Sequence, residues 1–372
     1  MRRFPYSHMN VLMMPTDFCN MNCIYCFNSK KTMHDQHVMS METLKQVFAI
    51  TIPFYKELRF IWHGAEPLSV GQDFYENVVK EQFSCVGNAA ITNSVQSNLS
   101  LLDDEMAKFL VTNEFSIGSS YDGTQNELTR HNSAAILSAY DKLKKVGGKC
   151  GFICVVQRKN IDHLITDYEW FKSKNIHYTL NQYLSSTPEK DPLFVPSDYY
   201  VSKMCDLFDH WFWDKECNIS ITFFEMFTDF FISGTKKLCC YNSCMGKHVG
   251  IAWDGTITGC NRIFPENYNF GNVFDYKAIF ECFESNGFKQ MLEKAVKRRK
   301  KCRESCSLYS FCEGGCNNVA YIDNDISTPN QYFCETLRGI YYHIEKMIIK
   351  LKNSPQKVKE TNPYVQRKLE EN

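Results

Sequence analysis

Short β-rich runs and amphipathic helical stretches alternate along the first two thirds of the chain. Strands are predicted at 10–15, 57–62, 89–96, 115–121, 149–157 and 176–183. Helices are predicted between them at 41–55, 74–83, 103–112, 134–145 and 161–174. In the third helix, Met106, Phe109 and Leu110 recur at the spacing of a helix face packed on a sheet. This alternation predicts parallel βα units, with functional residues after the carboxyl ends of the strands.

Six such units are too few for a closed eightfold barrel. The sequence therefore predicts an α/β fold with a partial, TIM-like (β/α)6 barrel over residues 1–232. An aromatic helix at 223–231 leads into a cysteine-rich region with little periodicity, interpreted as a small second domain at 233–352 that ends in a helix at 335–351. Residues 353–372 are rich in Lys and Glu, and we expect a solvated, disordered tail there.

Composition narrows the class of protein. Hydrophobic residues make up 44% of the 372 residues and charged residues 23%, as in ordinary globular proteins. The formal net charge is zero, so global electrostatics do not suggest nucleic acid as a partner. No apolar run reaches the roughly 20 residues of a membrane span, and no signal peptide is recognised. We therefore expect a cytoplasmic protein with no membrane and no nucleic-acid partner.

The cysteine content is unusual, because the chain has 18 cysteines. In a reducing compartment, clustered cysteines favour metal or iron–sulfur ligation over disulfides. Six of the cysteines stand singly or in apolar runs and are interpreted as small buried hydrophobic residues. They are Cys85, Cys150, Cys154, Cys205, Cys217 and Cys282.

Cys19, Cys23 and Cys26 follow the first predicted strand directly. Three thiolates on one short loop can ligate three irons of a cubane cluster and leave the fourth iron open. A catalytic zinc site keeps one position open for the same reason. The C-x3-C-x2-C spacing, with Tyr25 before the last cysteine, resembles the signature of the radical S-adenosylmethionine superfamily.

Other predicted strand ends resemble the same superfamily. The segment His63–Pro67 is similar to its Gly-Gly-Glu-Pro motif, which contacts the amino group of the bound methionine moiety, although Ala65 replaces the second glycine. Arg130 is similar to the arginine that pairs with the methionine carboxylate, a charge-assisted contact suited to a guanidinium group. The cofactor-binding residues implied by the resemblance are Tyr25, Gly64, Ala65, Glu66, Pro67, Ser97, Ser119 and Arg130.

The resemblance also implies a reaction. In the superfamily, the reduced 4Fe–4S cluster gives one electron to the sulfonium of S-adenosylmethionine, the carbon–sulfur bond breaks, and a 5′-deoxyadenosyl radical abstracts hydrogen from the substrate. A low-potential electron donor of the flavodoxin or ferredoxin type is then an implied partner, together with a peptide or protein substrate.

The second cysteine region resembles the seven-cysteine pattern of the SPASM extension, which occurs in enzymes that modify peptides and proteins. The spacer between Cys302 and Cys306 has three residues where the family has two. In relatives this domain holds two auxiliary 4Fe–4S clusters, so the resemblance implies two ligand sets here. One set is Cys244, Cys260, Cys316 and either Cys239 or Cys240, and the other is Cys302, Cys306, Cys312 and Cys334.

A run of basic residues precedes this block. It is interpreted as a solvated helix face, with a patch for an acidic leader peptide as the alternative. The run comprises Lys294, Lys297, Arg298, Arg299, Lys300 and Lys301.

Three positions bear on the substrate. By resemblance, sulfatase maturases have Asp directly after the cysteine that matches Cys260, where this chain has Asn261, and they differ also at His63 and Asn28. Asparagine has no titratable proton acceptor. The sequence therefore favours oxidative modification of a ribosomally made peptide, as a thioether or carbon–carbon crosslink, with His63 as the candidate base. Formylglycine formation by an anaerobic sulfatase maturase is the alternative.

Two further expectations follow. The first strand starts almost at once, so no N-terminal leader-binding domain is predicted. A function of another class is a non-catalytic, cysteine-rich zinc protein, in which His34 or His37 would complete the first site. Metal content separates the classes, because three 4Fe–4S clusters correspond to about 12 irons per chain.

Overall fold

The computed structural model describes residues 7–27, 36–85, 87, 89–236, 244–260, 268–322 and 325–371. The chain divides into two compact units. Unit 1 comprises residues 1–119, 131–150 and 244–294, and unit 2 comprises 120–130, 151–243 and 295–372. This division differs from the predicted boundary at residue 232.

Eight strands are present among the described residues. They are β1 (His8–Met13), β2 (Glu57–Trp62), β3 (Ala90–Gln96), β4 (Ser116–Ser120), β5 (Cys150–Val156), β6 (Tyr178–Gln182), β7 (His248–Ile251) and β8 (Ile257–Thr258). The first six confirm the predicted strands to within two residues at either end. In unit 1 the strand order is β4-β3-β2-β1-β7-β8, parallel except for the last pair. In unit 2, β5 pairs with β6 in parallel.

The sequence prediction missed β7 and β8. Asp254 and Gly255 form the turn between them, and Gly255 has a positive φ of 84°. An Asp-Gly pair between two apolar runs is a strong hairpin signal and could have revealed these strands. Because β7 pairs with β1, the hairpin extends the sheet beside the first strand.

The helices of the described residues alternate with these strands and then dominate the C-terminal part. They are α1 (Met41–Thr51), α2 (Gln72–Ser84), α3 (Asp104–Thr112), α4 (Asn126–Thr129), α5 (Ser133–Lys145), α6 (Leu164–Ser173), α7 (Ser197–Phe212), α8 (Thr222–Ser233), α9 (Asn286–Ser305), α10 (Tyr309–Cys312), α11 (Asn317–Tyr321), α12 (Gln331–Lys352) and α13 (Pro363–Glu370). The alternation confirms the predicted α/β fold with a parallel sheet. The prediction missed α7, whereas α9 contains the basic run that was predicted to lie on a helix. No helix in the described part of the chain is long and apolar enough to cross a membrane.

Residues 353–372 differ from the solvated tail that composition predicted. The Asn362 backbone N–H donates to the Phe212 carbonyl over 2.8 Å, and the Tyr364 hydroxyl donates to Asp229 Oδ1 over 2.6 Å. Val365 is fully buried within unit 2. The tail prediction is corrected because a few well-placed apolar and polar side chains are enough to dock a charged helix onto an aromatic core.

The six isolated cysteines behave largely as expected. Cys150, Cys154, Cys205 and Cys282 are buried, which confirms their interpretation as hydrophobic residues. Cys85 and Cys217 are half-buried.

Candidate functional site

Cys19, Cys23 and Cys26 lie together on the segment that follows β1, here named the cysteine loop (residues 18–27). Cys23 is buried and the other two thiols are half-buried. The Cys26 N–H donates to the Cys23 carbonyl over 3.1 Å, which closes a tight turn between these ligands. Burial raises the pKa of Cys19 to about 11, and Glu66 and the two other thiols add to this rise. Their mutual influence places the three thiols close together, as a shared cluster requires.

Glu66 is a buried brace for the cysteine loop. Its backbone N–H donates to the Phe18 carbonyl over 2.9 Å, directly before the first cysteine. Its side chain is 1% exposed and accepts hydrogen bonds from Ser97 Oγ at 2.6 Å, the Asn98 N–H at 2.7 Å and the Leu68 N–H at 2.9 Å. Hydrogen bonds to a carboxylate are stronger than neutral ones. Glu66 therefore joins the end of β3 to the cysteine loop, because its carboxylate accepts from Ser97 and Asn98 and its backbone N–H donates to Phe18.

A second network supports the same loop from the end of β3. Asn98 Nδ2 donates to Asn20 Oδ1 over 2.9 Å, and Asn20 Nδ2 donates to Ser100 Oγ over 2.8 Å. Ser100 Oγ in turn donates to Asn98 Oδ1 over 2.6 Å. No local signal in the sequence marks this closed ring of polar groups, which was not predicted.

Gly64 occupies a backbone conformation that other residues avoid. Its φ is +116°, and a Cβ atom there would lie 2.9 Å from Met14 Cγ. Both the left-handed backbone and the close approach to the segment after β1 require glycine. The first glycine of the predicted motif is therefore needed for the turn itself.

His63, the predicted candidate base, is half-buried at the end of β2. Its backbone N–H donates to the Met13 carbonyl over 2.8 Å, and the Gly64 N–H donates to its ring Nδ1. A neutral imidazole that accepts at Nδ1 carries its proton on Nε2. In this arrangement neither ring nitrogen is ready to take a proton, so the geometry favours an orienting role for His63. Its assignment as a base stays a prediction.

The remaining predicted cofactor residues fall in both units. In unit 1, Tyr25 is half-buried, and Ser119 at the end of β4 is fully buried with no hydrogen-bond partner for its Oγ among the described residues. An orphaned buried hydroxyl at a strand end is compatible with a group that binds there. Arg130 is 8% exposed and belongs to unit 2, where its N–H caps α4 by donating to the Asn126 carbonyl over 2.8 Å. Their binding roles stay predictions.

His37 was the candidate fourth ligand of a zinc site. Its Nδ1 lies 2.7 Å from Asp17 Oδ2, and its ring stacks on Trp253 with centroids 4.1 Å apart. The Asp17 Oδ1 atom also accepts the His37 backbone N–H over 2.9 Å. These contacts tie the segments on either side of residues 28–35 to the β7–β8 turn.

Cys244 and Cys260 flank the β7–β8 hairpin in unit 1. Cys244 precedes β7 and Cys260 follows β8, so the antiparallel pairing returns the chain toward its starting end. Both cysteines are half-buried. Their predicted partner Cys316 belongs to unit 2, and this ligand set stays a prediction.

Five cysteines of unit 2 line one cavity, here named the cysteine pocket. Cys302 lies on α9, Cys312 ends α10, and Cys334 lies in the first turn of α12. The five cysteines of the lining are Cys302, Cys306, Cys312, Cys316 and Cys334.

Four of these thiols act on one another. Burial raises the pKa of Cys334 to about 11, and Cys312, Cys302 and Cys306 add to the rise. Burial likewise raises the pKa of Cys312, with further contributions from Cys306 and Cys302. This mutually coupled group is the predicted second auxiliary set, so the residues present fit a fully ligated 4Fe–4S cluster.

In the described part of the chain, no group of three or more His, Cys, Asp or Glu side chains is arranged to hold a single metal ion. A cubane cluster does not require such convergence, because each thiolate binds a different iron. Several predicted positions lie outside the described residues, namely Asn28, His34, Cys239, Cys240 and Asn261.

Comparison with known families supports the assignment of the first site. Residues 13–171 match the family model described as the Radical SAM superfamily, where SAM is S-adenosylmethionine. This segment contains the cysteine loop, Glu66 and the strand ends that surround it. The chain therefore contains a radical SAM domain.

Individual relatives extend the similarity over most of the chain. The cysteine-type anaerobic sulfatase-maturating enzyme of Clostridium perfringens (strain 13 / Type A) is 25% identical over 362 residues, covering 90% of this chain and 96% of that enzyme. The serine-type anaerobic sulfatase-maturating enzyme of Bacteroides thetaiotaomicron is 24% identical over 370 residues, covering 88% and 86% respectively. Both relatives are named as anaerobic sulfatase-maturating enzymes, and neither lends support to the predicted crosslinking.

Solved structures share the fold. The structure of native anSMEcpe with bound AdoMet has a TM-score of 0.82 at 24% identity and covers 93% of this chain and 100% of that chain. The structure of Streptococcus suis SuiB bound to S-adenosylmethionine has a TM-score of 0.61 at 15% identity, covering 89% and 77%. Both confirm the α/β architecture that the sequence predicted.

Proposed function

We propose that this protein oxidises a cysteine or serine side chain of a peptide or protein substrate to an aldehyde, as a radical SAM enzyme of the sulfatase-maturating type. The observation that carries the proposal is the extent of the match, since this chain and a cysteine-type relative align over 90% and 96% of their lengths, respectively. The alignment extends well past residues 13–171 into the cysteine-rich region, which a shared radical domain alone would not produce.

The proposed cofactors follow from the two sites. The cysteine loop would hold the radical cluster, and the cysteine pocket would hold an auxiliary cluster on Cys302, Cys306, Cys312 and Cys334. When bound, S-adenosylmethionine supplies the means of removing a hydrogen atom from a substrate carbon. The chain itself holds the loop through Glu66 and keeps Cys302 and Cys312 of the pocket buried.

The overall reaction is a two-electron oxidation. A serine side chain loses one hydrogen from its β carbon and one proton from its hydroxyl, with two electrons leaving in total. A cysteine side chain loses the corresponding two hydrogens to give a thioaldehyde, and addition of water then releases hydrogen sulfide and leaves the aldehyde. One electron acceptor is therefore needed besides the cofactor, and a fully ligated auxiliary cluster suits that task.

Under this proposal, Asn261 changes which group accepts the substrate proton and leaves the type of reaction the same. An amide has no titratable acceptor, so another group must take the substrate proton. The same residue is also the observation that favours a second candidate, oxidative crosslinking of a peptide. Both candidates remove two hydrogens from the substrate, and only the first leaves an aldehyde.

The test uses the anaerobically reconstituted enzyme, S-adenosylmethionine and dithionite as the reductant. Three matched peptides carry Cys, Ser or Ala at the target position of a sulfatase-type sequence. We expect 5′-deoxyadenosine and a hydrazide-reactive product with the Cys or Ser peptide, and neither aldehyde nor mass change with Ala. A product that loses two hydrogens without reacting with hydrazide would favour crosslinking.

The control enzyme is the triple variant Cys19→Ala, Cys23→Ala and Cys26→Ala. It should form no product with any peptide. Product formation by this variant would contradict the proposed role of the cysteine loop, whereas a lack of product with the parent enzyme on all three peptides would contradict the proposed substrate class.

A further inference from the structure

Arg298 lies in the basic run that was predicted to be a solvated helix face, yet its side chain is fully buried. Neighbouring residues of α9 behave as predicted, since Lys297, Lys300 and Lys301 are exposed. Burial of a guanidinium group is costly unless its donors are satisfied. The contacts of Arg298 therefore need a structural explanation that the other basic residues do not.

The guanidinium of Arg298 makes four hydrogen bonds within unit 2. Its Nε donates to the Gly314 carbonyl over 2.8 Å, and its Nη2 donates to the Gly315 carbonyl over 3.2 Å. Nη2 also donates to Asn317 Oδ1 over 2.7 Å, and Nη1 donates to the Ile326 carbonyl over 2.5 Å. The acceptors of these four bonds are neutral oxygens.

These acceptors belong to the segments that carry the pocket thiols. Gly314 and Gly315 lie between Cys312 and Cys316 and themselves line the cysteine pocket. Arg298 lies one helical turn before Cys302 on α9. The guanidinium of Arg298 thus joins α9, which carries Cys302, to the loop between Cys312 and Cys316. It also joins α9 to the segment at Ile326 that leads toward α12.

The charge of Arg298 also reaches the pocket. Arg298 is one helical turn from Cys302, and Gly314 and Gly315, which accept its hydrogen bonds, line the cysteine pocket. A cation close to a cluster favours the addition of an electron to it.

We infer that Arg298 is a positioning residue for the auxiliary cluster of the cysteine pocket. Its planar fork holds the α9 end, the Gly314–Gly315 loop and the Ile326 segment in one arrangement, and its charge stabilises the more negative, reduced state of the cluster. The inference rests on the cluster assignment made under the proposed function. A lysine at this position would keep the charge but could not reproduce the planar, multiply bonded geometry.

The test uses the full chain with Cys19, Cys23 and Cys26 changed to Ala, so that only auxiliary clusters are present. This parent should contain about eight irons. In it, R298K should release iron to a chelator at least tenfold faster than the parent and change the EPR spectrum of the reduced cluster. R298Q removes the charge as well and should lower the equilibrium constant for reduction of the cluster at least tenfold. This corresponds to a reduction potential lower by about 59 mV for a one-electron couple.

R299K and R299Q are the matched controls. Arg299 is the next residue and carries the same charge, but it pairs with Glu313 at 3.8 Å and makes none of the four bonds that Arg298 makes. The R299K variant should release iron at the parental rate with a parental EPR spectrum. The R299Q variant should lower the potential without accelerating iron release, which separates charge from positioning.

Parental iron release and an unchanged EPR spectrum in R298K would overturn the inference. If R298K fails to fold, as judged by far-ultraviolet circular dichroism, Asn317→Ala replaces it, because that change removes one of the four bonds. This variant should release iron at an intermediate rate, and a parental rate would overturn the inference. A parent without iron would overturn the cluster assignment together with the inference, whereas an iron-loaded parent matched by R298K would overturn the inference alone.

Discussion

The cysteine loop and the cysteine pocket present the same ligand chemistry on different supports. The loop is a short segment after β1 that is held by the backbone of Glu66, a residue with a buried carboxylate. The pocket is built from helix ends whose brace is the buried guanidinium of Arg298. Glu66 contributes to the raised pKa of Cys19, whereas Arg298 opposes the rise that burial imposes on Cys302.

Glu66 and Arg298 carry opposite charges, which should shift the reduction potentials of the two clusters in opposite directions. Adding an electron to a cluster is disfavoured by a nearby anion and favoured by a nearby cation. A cluster on the loop would thus be the stronger reductant, and a cluster in the pocket the better electron acceptor. This ordering suits a loop cluster that must reduce a sulfonium and a pocket cluster that receives an electron from an oxidised substrate.

Removing thiols should separate the two sites most sharply. The triple variant Cys19→Ala, Cys23→Ala and Cys26→Ala should lose all reductive cleavage of S-adenosylmethionine, because no open iron is left. The variant Cys312→Ala should keep that cleavage and lose substrate oxidation. Both are measured by quantifying 5′-deoxyadenosine and modified peptide in the same reaction. Cleavage by the triple variant would contradict the division of roles between loop and pocket.

Removing the anionic brace should have the next largest effect. Glu66→Ala leaves the Ser97 hydroxyl and two backbone N–H groups buried without their acceptor, and we expect the free energy of unfolding to fall by about 4 kcal/mol. Glu66→Gln should lose less, because its amide oxygen still accepts. Chemical denaturation followed by circular dichroism measures both. Equal stability of the Ala variant and the parent would show that Glu66 does not brace the loop.

Asp167 is a second buried carboxylate, and it accepts fewer hydrogen bonds among the described residues than Glu66 does. Asp167 in unit 2 accepts the Thr124 N–H and hydroxyl, both over 2.7 Å, at one oxygen, while its other oxygen is buried without a partner among the described residues. Burial raises the pKa of Asp167 to about 6.

A pKa raised by about two units reduces stability as pH rises, because the unfolded chain ionises first. Below about pH 4 both states are protonated, and the loss accumulates between about pH 4 and pH 6, to about 3 kcal/mol at neutral pH. We expect Asp167→Asn to remove this pH dependence and to raise stability at pH 7. Unfolding at pH 4 and pH 7 measures it. A parent that gains stability over that range would contradict the assigned sign.

The smallest effect is expected at Gly64. Gly64→Ala places a side chain in a left-handed backbone conformation and against Met14, at a cost of about 1–2 kcal/mol. The control Ala65→Gly, which restores the second glycine of the family motif, should change stability by less than this. Thermal unfolding of the two variants gives the comparison, and a neutral Gly64→Ala variant would show that the turn tolerates a side chain.

Much of unit 1 could be predicted from the sequence because its signals are local. The bounds of β2 were predicted as they occur, and the cysteine spacing after β1 led directly to the radical SAM domain that comparison confirms. The β7–β8 hairpin was missed, although its Asp-Gly turn was a usable signal.

The missed features of unit 2 depend on tertiary contacts. Within the basic run, Arg298 has the same local composition as its exposed neighbours, and its burial depends on carbonyl groups at Gly314, Gly315 and Ile326 that no local pattern marks. The docking of α13 likewise depends on partners such as Asp229, more than a hundred residues away. The predicted crosslinking is not supported by the relatives for another reason, because three positions, Asn261, His63 and Asn28, were given more weight than the similarity over most of the chain.

The pairing of β1 with β7 also sets an order of events during synthesis. Asn10 pairs with His248, so one edge of the first strand stays open until about two thirds of the chain has been made. At about 5–20 residues per second, that interval is on the order of tens of seconds. During it the cysteine loop extends from a strand that is paired with β2 alone. Loading of a cluster onto the loop is therefore expected to follow translation of the β7–β8 hairpin, which makes the hairpin a timing element for maturation of the enzyme.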